Sequence, residues 1–374
     1  MKTIKNIKKI KDTRALVRVD FNVPMKGTKI LDTKRIDVSF DTIRALQKKG
    51  MQVLLVAHMG DNRASLRPIA TYLAKHFSIK FITENILQTE KVKKVIEDLP
   101  QDTVVLFDNI RRYEGEEKND PKFSRLLASY ADVFINDAFS VSHRKHASVV
   151  GITKYLPAFA GLQLEKEIKI LSKLLDNKKH PFLFILGGAK FSTKIPLLNR
   201  FIETADQVVI TGAIANSFLK TGGFEVGVSV VENGYEKEIK KLFSSPKLLL
   251  PVDVVVLHGK NSKTLTLGDV GRRDKIVDIG SETAKMIVEK IKKAKVIVWN
   301  GPTGWYEGGF TSATNTLAKA MVASKGLSVI GGGDTGALVQ KIADKKANIF
   351  VSTGGGATLD YLATGTLPGI QCLK

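Results

Sequence analysis

Two lysines lie four residues apart just beyond a pair of glycines, in Leu186-Gly-Gly-Ala-Lys190-Phe-Ser-Thr-Lys194. At i and i+4 they are expected to share one helical face. Two cations at a helix N-terminus are unfavourable there unless an anion bridges them. A nucleotide phosphate and a phosphoryl group in transfer would both do so. Solvated lysines on an ordinary helix fit the same spacing. The stretch is not a P-loop, because Gly-x-x-x-x-Gly-Lys-Ser/Thr is not satisfied.

A second glycine stretch, Leu327-Ser-Val-Ile-Gly-Gly-Gly-Asp-Thr-Gly336, reads as a buried strand over Leu327 to Ile330 that turns into a helix starting at Ala337. Such a turn points backbone N–H groups at open space at the positive end of the helix dipole. Glycines there let a phosphate approach with no Cβ in the way. Asp334 adds a hard oxygen ligand for a phosphate-bound Mg²⁺. The letters also fit the dinucleotide fingerprint at Gly331, Gly333 and Gly336, which wants an acid at the end of the next strand. That strand, Asn348-Ile-Phe-Val-Ser352, ends in Thr353-Gly-Gly-Gly356 instead. Phosphate binding passes this test and hydride transfer does not, while a glycine turn that merely joins strand to helix stays open.

The first half carries different groups. Arg18-Val-Asp-Phe-Asn-Val-Pro24 offers Asp20 and Asn22 as hydroxyl or carboxylate partners, and Arg35 is a guanidinium fork for phosphate or one half of a surface salt bridge. Asn136-Asp-Ala-Phe-Ser-Val-Ser-His-Arg-Lys-His146 adds His143 and Arg144. His58 and His143 gain weight from following strands beside arginines, whereas His76, His180 and His258 read as structural.

These groups are positioned by a series of apolar runs separated by helix-length segments. The runs are Ala15–Val19, Gln52–Val56, Thr103–Phe107, Asp132–Ile135, Phe182–Leu186, Gln207–Thr211, Val252–Leu257, Val296–Trp299, Leu327–Ile330 and Asn348–Val351. The alternation predicts an α/β fold of parallel sheets with helices on both faces. Ligands in such sheets sit at the carboxyl ends of strands. Those ends carry Asp20, Asn22, His58, Asn109, Arg111 and Arg144 in the first half, a surface suited to a small phosphorylated acid. In the second half they carry Gly187, Gly188, Gly212, Asn300 and Gly301, suited to a nucleotide phosphate chain. Complementary halves predict a transfer enzyme that closes about a hinge. The hinge candidate is Pro157–Gly161, leading into a helix with Leu164, Ile168, Leu171 and Leu175 at helical spacing.

A chain of 374 residues, 43% hydrophobic and 25% charged, suggests two globular domains. The lone Cys372 excludes an internal disulfide and fits a reducing cytosol. The N-terminal stretch has no apolar h-region and no run approaches a membrane span, so neither secretion nor a membrane is expected. The net charge of +21 admits nucleic acid or an anionic small molecule as partner. The lysines of 5–11, 91–94 and 290–295 interleave with aliphatic residues, as solvated amphipathic faces do, so nucleic acid is not the expected partner.

Taken together, Arg-Val-Asp-Phe-Asn-Val-Pro, Asn-Asp-Ala-Phe, His-Arg-x-His, Leu-Gly-Gly-Ala-Lys, Leu-Pro-Val-Asp, Val-Trp-Asn-Gly-Pro, Gly-Gly-Gly-Asp-Thr and Ser-Thr-Gly-Gly-Gly-Ala stand in the order found in phosphoglycerate kinases. The resemblance runs from Arg14 to Leu373. It implies two Rossmann-like three-layer (α/β/α) domains with parallel sheets joined by a hinge helix. Residues 1–156 would bind phosphoglycerate, 157–177 form the linking helix, 178–359 bind nucleotide, and 360–374 return to the first domain. It implies reversible phosphoryl transfer between 1,3-bisphosphoglycerate and ADP, with Mg²⁺, by a cytoplasmic monomer of glycolysis. Asp20, Asn22, Arg35, His58, Arg111, His143 and Arg144 fall on phosphoglycerate positions. Lys190, Lys194, Gly212, Asn300, Glu307, Gly331, Gly332, Gly333, Asp334 and Thr335 fall on nucleotide positions. Among these, Asp334 falls on the metal-ligand position, and Arg35, Lys190 and Gly333 fall on catalytic positions. The chain departs from the pattern at Asp61, where the family has a substrate-contacting arginine and where Arg63 lies two residues away. It departs again at Thr193 for aspartate and Ser281 for proline.

Overall fold

The fold is taken from a computed structural model, which describes residues 1–7, 13–60, 64–175, 179–331, 333–343, 348–352 and 354–373, the side chains of 333, 334, 337, 340 and 343 excepted. The chain divides into two compact units, Met1–Ser172 with Thr364–Lys374, and Lys173–Ala363.

The first unit is built on β1 (Thr13–Arg18), β2 (Met51–Val56), β3 (Ile79–Ile82), β4 (Val104–Phe107), β5 (Val133–Asn136) and β6 (Ala158–Ala160), with helices α1 (Phe40–Lys48), α2 (Arg67–Leu73), α3 (Thr89–Glu97) and α4 (Pro121–Ala128) between them. The strands form a 6-stranded sheet in the order β3-β4-β2-β1-β5-β6, every pairing parallel. All of β2 is buried, because parallel sheets carry helices on both faces and their strands read as continuous apolar runs. α1 faces the sheet with Phe40, Ile43 and Leu46, a helical repeat of apolar positions. α4 starts where Asp120 accepts the Phe123 amide at 2.8 Å and Pro121 fills the first turn. The edge strands β3 and β6 go beyond the apolar runs of the sequence, and the hinge candidate Pro157–Gly161 contains β6. α5 (Leu162–Leu175) follows directly, with the Gln163 and Leu164 amides donating to Asp137 Oδ1 at 2.9 and 3.1 Å. The C-terminal segment is tied to this unit by Asn136 Nδ2 donating to the Gly369 carbonyl at 3.0 Å and by the Gly369 amide donating to Ser142 at 2.8 Å.

The second unit contains β7 (Phe182–Leu186), β8 (Gln207–Ile210), β9 (Leu248–Leu249), β10 (Asp253–His258), β11 (Asn261–Thr266), β12 (Lys275–Ile279), β13 (Val296–Asn300), β14 (Leu327–Gly331) and β15 (Ile349–Val351). Its helices are α6 (Ile195–Thr204), α7 (Gly212–Thr221), α8 (Glu236–Phe243), α9 (Ser281–Lys293), α10 (Ser312–Ala323), α11 (Gly333–Ala343) and α12 (Gly356–Thr364). A parallel 6-stranded sheet runs β9-β8-β7-β13-β14-β15. Its core packs Ile185, Ile297, Trp299 and Ile330 against Ile287 and Ile291 of α9 and Leu317 and Met321 of α10.

Three expectations change. The run Val252–Leu257 belongs to no parallel sheet: β10 pairs antiparallel with β11 and β12 in a separate 3-stranded sheet. The cause is local, since His258 pairs with Asn261 across a tight turn at Gly259, whose φ of +59° suits glycine, and no crossover helix intervenes. Lys190 and Lys194 do not share a helical face, because Lys190 lies in an irregular loop and Lys194 in a short 3₁₀ turn before α6. The helix after β14 begins at Gly333 rather than at Ala337, so Gly336 is helical, close against Val351. No helix among the described residues is long and apolar enough to cross a membrane.

Candidate active site

In the first unit the polar groups gather at the carboxyl ends of β1, β2, β4 and β5. Asp20, just past β1, orients Arg35: its Oδ2 pairs with Arg35 Nη1 at 3.1 Å and accepts the Ser140 hydroxyl at 2.6 Å. The same Nη1 donates to the Asn22 carbonyl at 3.1 Å. Asn22 Oδ1 accepts the Gly60 amide at 2.9 Å, joining the loop after β1 to the loop after β2. Arg111 Nη1 donates to the Gly60 carbonyl at 2.8 Å, and its Nε lies 3.3 Å from Glu117. Asn109 ties this edge together, donating to the carbonyls of Met59 and Ala64 and accepting the Arg111 amide. Arg144 and His143 are half-buried on the loop after β5.

Behind these groups lies a chain of buried polar and charged groups. Arg18, the last residue of β1, is 1% exposed and sends Nε to Ser148 Oγ at 3.0 Å, Nη1 to the Val19 carbonyl at 2.6 Å and Nη2 to His58 Nδ1 at 3.1 Å. Ser148 passes the contact to Glu116, donating Oγ–H to Oε1 at 2.6 Å and its amide to Oε2 at 2.9 Å. Burial alone would raise the Glu116 pKa, but His146, Arg18 and Ser148 outweigh it and hold the carboxyl below its ordinary value. Burial pushes the His58 pKa down to about 2, and Arg18, Arg111, Arg144 and His146 add to the effect. His58 is therefore a neutral imidazole in a cationic cluster.

The second unit offers a cavity of about 330 Å³. One wall is backbone: Gly188 and Gly212 at the ends of β7 and β8, with Pro302 and Gly304 after β13. These strand ends are woven together, since the amides of Gly187, Gly188 and Gly212 donate to the carbonyls of Asn300, Pro302 and Thr303 at 2.7, 3.1 and 2.9 Å. The other wall is largely apolar, with Leu219, Val230, Val254 and Ile276. A flat, mostly apolar slot with a few polar groups suits a heterocyclic base. At its rim Lys275 sits 3.9 Å over the Trp305 ring, and Glu307 is exposed. Burial pushes the Asp278 carboxyl up to about 6, against hydrogen bonds from Thr303, Ile279 and Ala313 that favour the charged form. Lys194 Nζ donates to Asn300 Oδ1 at 3.1 Å, while Lys190 is exposed. Burial lowers the Lys194 pKa, partly countered by Asp360. A Cβ on Gly331 would meet Asn300 Nδ2 at 2.8 Å, so any larger residue there must displace that amide. Thr335 is fully buried in the first turn of α11, and its Oγ1 has no hydrogen-bond partner among the described residues. Asp61, Arg63, Gly332, Thr353 and the side chain of Asp334 lie outside the described residues.

The sequence matches the family model of phosphoglycerate kinase over residues 4–365. The chain belongs to the phosphoglycerate kinase family. It is 39% identical over 390 residues to the phosphoglycerate kinase of Finegoldia magna, across 100% of this chain and 98% of that one. Against the phosphoglycerate kinase of Borreliella burgdorferi it is 38% identical over 394 residues, covering 100% and 99% of the two chains. Among solved structures, the phosphoglycerate kinase of Coxiella burnetii superimposes with a TM-score of 0.84 at 31% identity, covering 99% of this chain and 98% of that one. That of Pyrococcus horikoshii gives 0.86 at 28% identity, covering 100% and 98%. As a member of the phosphoglycerate kinase family the chain is a kinase of glycolysis.

The structure brings Asp20, Asn22, Arg35, His58 and Arg111 together at one sheet edge, and Gly212 and Glu307 around one cavity. Asp278, Thr303, Trp305 and Lys275 line that cavity without having been singled out for it in the sequence. Nothing in their local sequence carries a signal, because they meet only through the packing of the small antiparallel sheet against the end of β13. Arg18 did carry one: an arginine between apolar residues of a buried strand must find a partner.

Proposed function

We propose that the chain catalyses reversible phosphoryl transfer between ATP and the carboxylate of 3-phosphoglycerate, the first unit taking the phosphoglycerate and the second the nucleotide. The observation that carries the proposal is the division of chemistry between the two sheet edges in a chain of this family. One edge is a cluster of guanidinium groups around a neutral imidazole, and the other a glycine-walled slot.

In the direction of ATP use, a carboxylate oxygen of 3-phosphoglycerate attacks the γ-phosphorus, the bond to the β-phosphate bridging oxygen breaks, and ADP leaves as the acyl phosphate forms. The glycolytic direction is the reverse. The acceptor is already an anion, so no general base is needed, and the protein's part is positioning and charge. Arg35, held by Asp20, and the exposed Lys190 would neutralise charge on the moving group. Arg111, Arg144, His58, His143 and Asn22 would hold the phosphoglycerate. Lys194, Asn300, Glu307, Thr335 and the amides from Gly331 to Gly333 would hold the nucleotide, with Gly212 shaping the slot.

Mg²⁺ enters as part of the nucleotide. Among the described residues no group of three or more His, Cys, Asp or Glu could hold a metal. The buried Thr335 hydroxyl in the first turn of α11 is a polar group of the type this complex needs, and Asp334, the sequence-expected metal ligand, would supply the carboxylate. The metal would screen the phosphate charge against the incoming carboxylate. The chain would work in the cytoplasm as a monomer. The test is ATP consumption with and without 3-phosphoglycerate. Strict dependence on the acid is expected, and ATP hydrolysis indifferent to it would refute the proposal.

A further inference from the structure

We propose that Arg18 is a positioning residue that fixes His58 as the neutral tautomer with its proton on Nε2, so that the imidazole meets phosphoglycerate only as a hydrogen-bond donor. This rests on the assignment of the first-unit cluster as the phosphoglycerate site.

A guanidinium carries five N–H groups and no lone pair to offer, so the 3.1 Å contact from Arg18 Nη2 to His58 Nδ1 has one possible direction. Arg18 donates, Nδ1 accepts, and the single ring proton stays on Nε2. Arg18 cannot swing away to release the ring. Its Nε and Nη1 are held by Ser148 and the Val19 carbonyl, and Ser148 is clamped in turn by both oxygens of Glu116. Arg18, His58, Glu116 and Ser148 are 1%, 3%, 0% and 0% exposed, so water does not compete for these contacts. The Glu116 carboxylate balances the charge of Arg18 through the Ser148 hydroxyl.

The groups that act on His58 are Arg18, Arg111, Arg144 and His146. In such a cluster an unclamped imidazole would be free to exchange tautomers, and an arriving anion would favour a second proton on it. With Nδ1 occupied neither happens. His58 keeps one donor, oriented by Arg18, and its contribution to binding does not change with pH near neutrality.

The test is ¹⁵N NMR of the histidine rings in the full, ligand-free chain. Wild-type His58 is expected to show an unprotonated Nδ1 and a protonated Nε2, unchanged between about pH 6 and 8. Arg18→Met should mix the tautomers or start His58 titrating. It should raise KM for 3-phosphoglycerate roughly 10-fold, with a new pH dependence, while kcat changes less. Ser148→Ala, which leaves both charges in place, should give a smaller shift of the same kind and serves where Arg18→Met does not fold. A protonated Nδ1 in the wild type, or variants that keep the wild-type tautomer and a flat KM–pH profile, would overturn the proposal. Because the ring is read without ligand, this outcome is separate from whether the site takes phosphoglycerate, which the turnover assay decides.

Discussion

Lys190 and Arg35 differ in how they are held. Arg35 is anchored by Asp20 and the Asn22 carbonyl, whereas Lys190 stands exposed on an irregular loop. If both neutralise the phosphoryl group in transfer, removing either charge should strike kcat more than KM. Lys190→Ala and Arg35→Ala are each expected to lower kcat by about 10²–10³-fold while leaving circular dichroism and Tm nearly unchanged. Wild-type turnover in either variant would remove that residue from the chemistry. Gly212 makes a different demand. Its φ is +64°, and a Cβ there would lie 2.6 Å from the Gly188 amide nitrogen and 2.8 Å from its carbonyl oxygen. Gly212→Ala should therefore cost about 1–3 kcal/mol of stability in urea titration and weaken ATP binding together with it. Asp278 supplies a pH dependence. Burial raises its pKa from 3.8 to about 6, so the folded state holds this proton more tightly than the unfolded chain does. The stabilisation is complete below the unfolded pKa and is lost as pH rises through about 6. Asp278→Asn cannot ionise, but it loses an acceptor for Thr303, Ile279 or Ala313. Its Tm deficit against wild type should be largest near pH 4, narrow as pH rises through about 6 and be constant above about pH 7. A deficit that widens with pH would contradict the shift.

At the scale of elements, α5 shows how a helix start is fixed by a residue distant in sequence. Asp137 Oδ1 accepts the Gln163 and Leu164 amides, and Gly161 leaves no room for a Cβ beside that carboxylate. Burial raises the Asp137 pKa to about 7 despite hydrogen bonds from Thr42, Leu164 and Gln163, so the carboxyl is held in place by packing as much as by charge. Asp137→Ala should cost about 1–2 kcal/mol and speed hydrogen exchange at the first amides of α5. Asp137→Asn keeps one carbonyl oxygen for the two amides and should lose roughly half of that or less. Equal losses in the two variants would show that the cap contributes little. The apolar runs made the central strands of both parallel sheets legible, because strands covered on both faces must be apolar throughout. The edge strands β3 and β6 were not, since exposed Lys80 interrupts the first and the second is only 3 residues long. Val252–Leu257 looked like its neighbours and folded otherwise, because pairing partners are set by the turn at Gly259 and not by the apolar pattern. The order of strand and helix around the glycines after β14 was legible, though the helix starts earlier, at Gly333. The helical face expected for Lys190 and Lys194 was not realised, because the glycines that open the loop also delay the helix to Ile195.

At the scale of the whole molecule, each unit has its own parallel sheet and its own core. Each also has its own collection of groups at the carboxyl ends of its strands. The proposed assignment of one substrate to each unit has a direct thermodynamic signature. A ligand stabilises by mass action only the folded state it binds, and protection from hydrogen exchange follows the unit whose opening it opposes. ATP alone should slow exchange at 187–194, 212–219, 275–279 and 300–307, and leave 18–22, 57–60, 109–111 and 143–148 as in the free chain. Phosphoglycerate alone should do the reverse. Nucleotide protection confined to the arginine cluster, or phosphoglycerate protection confined to the glycine-walled slot, would show that the substrates have been assigned to the wrong units even if turnover is normal. With a substitution such as Gly212→Ala, the nucleotide footprint should fade while the phosphoglycerate footprint persists, because the altered backbone lies wholly within the second unit.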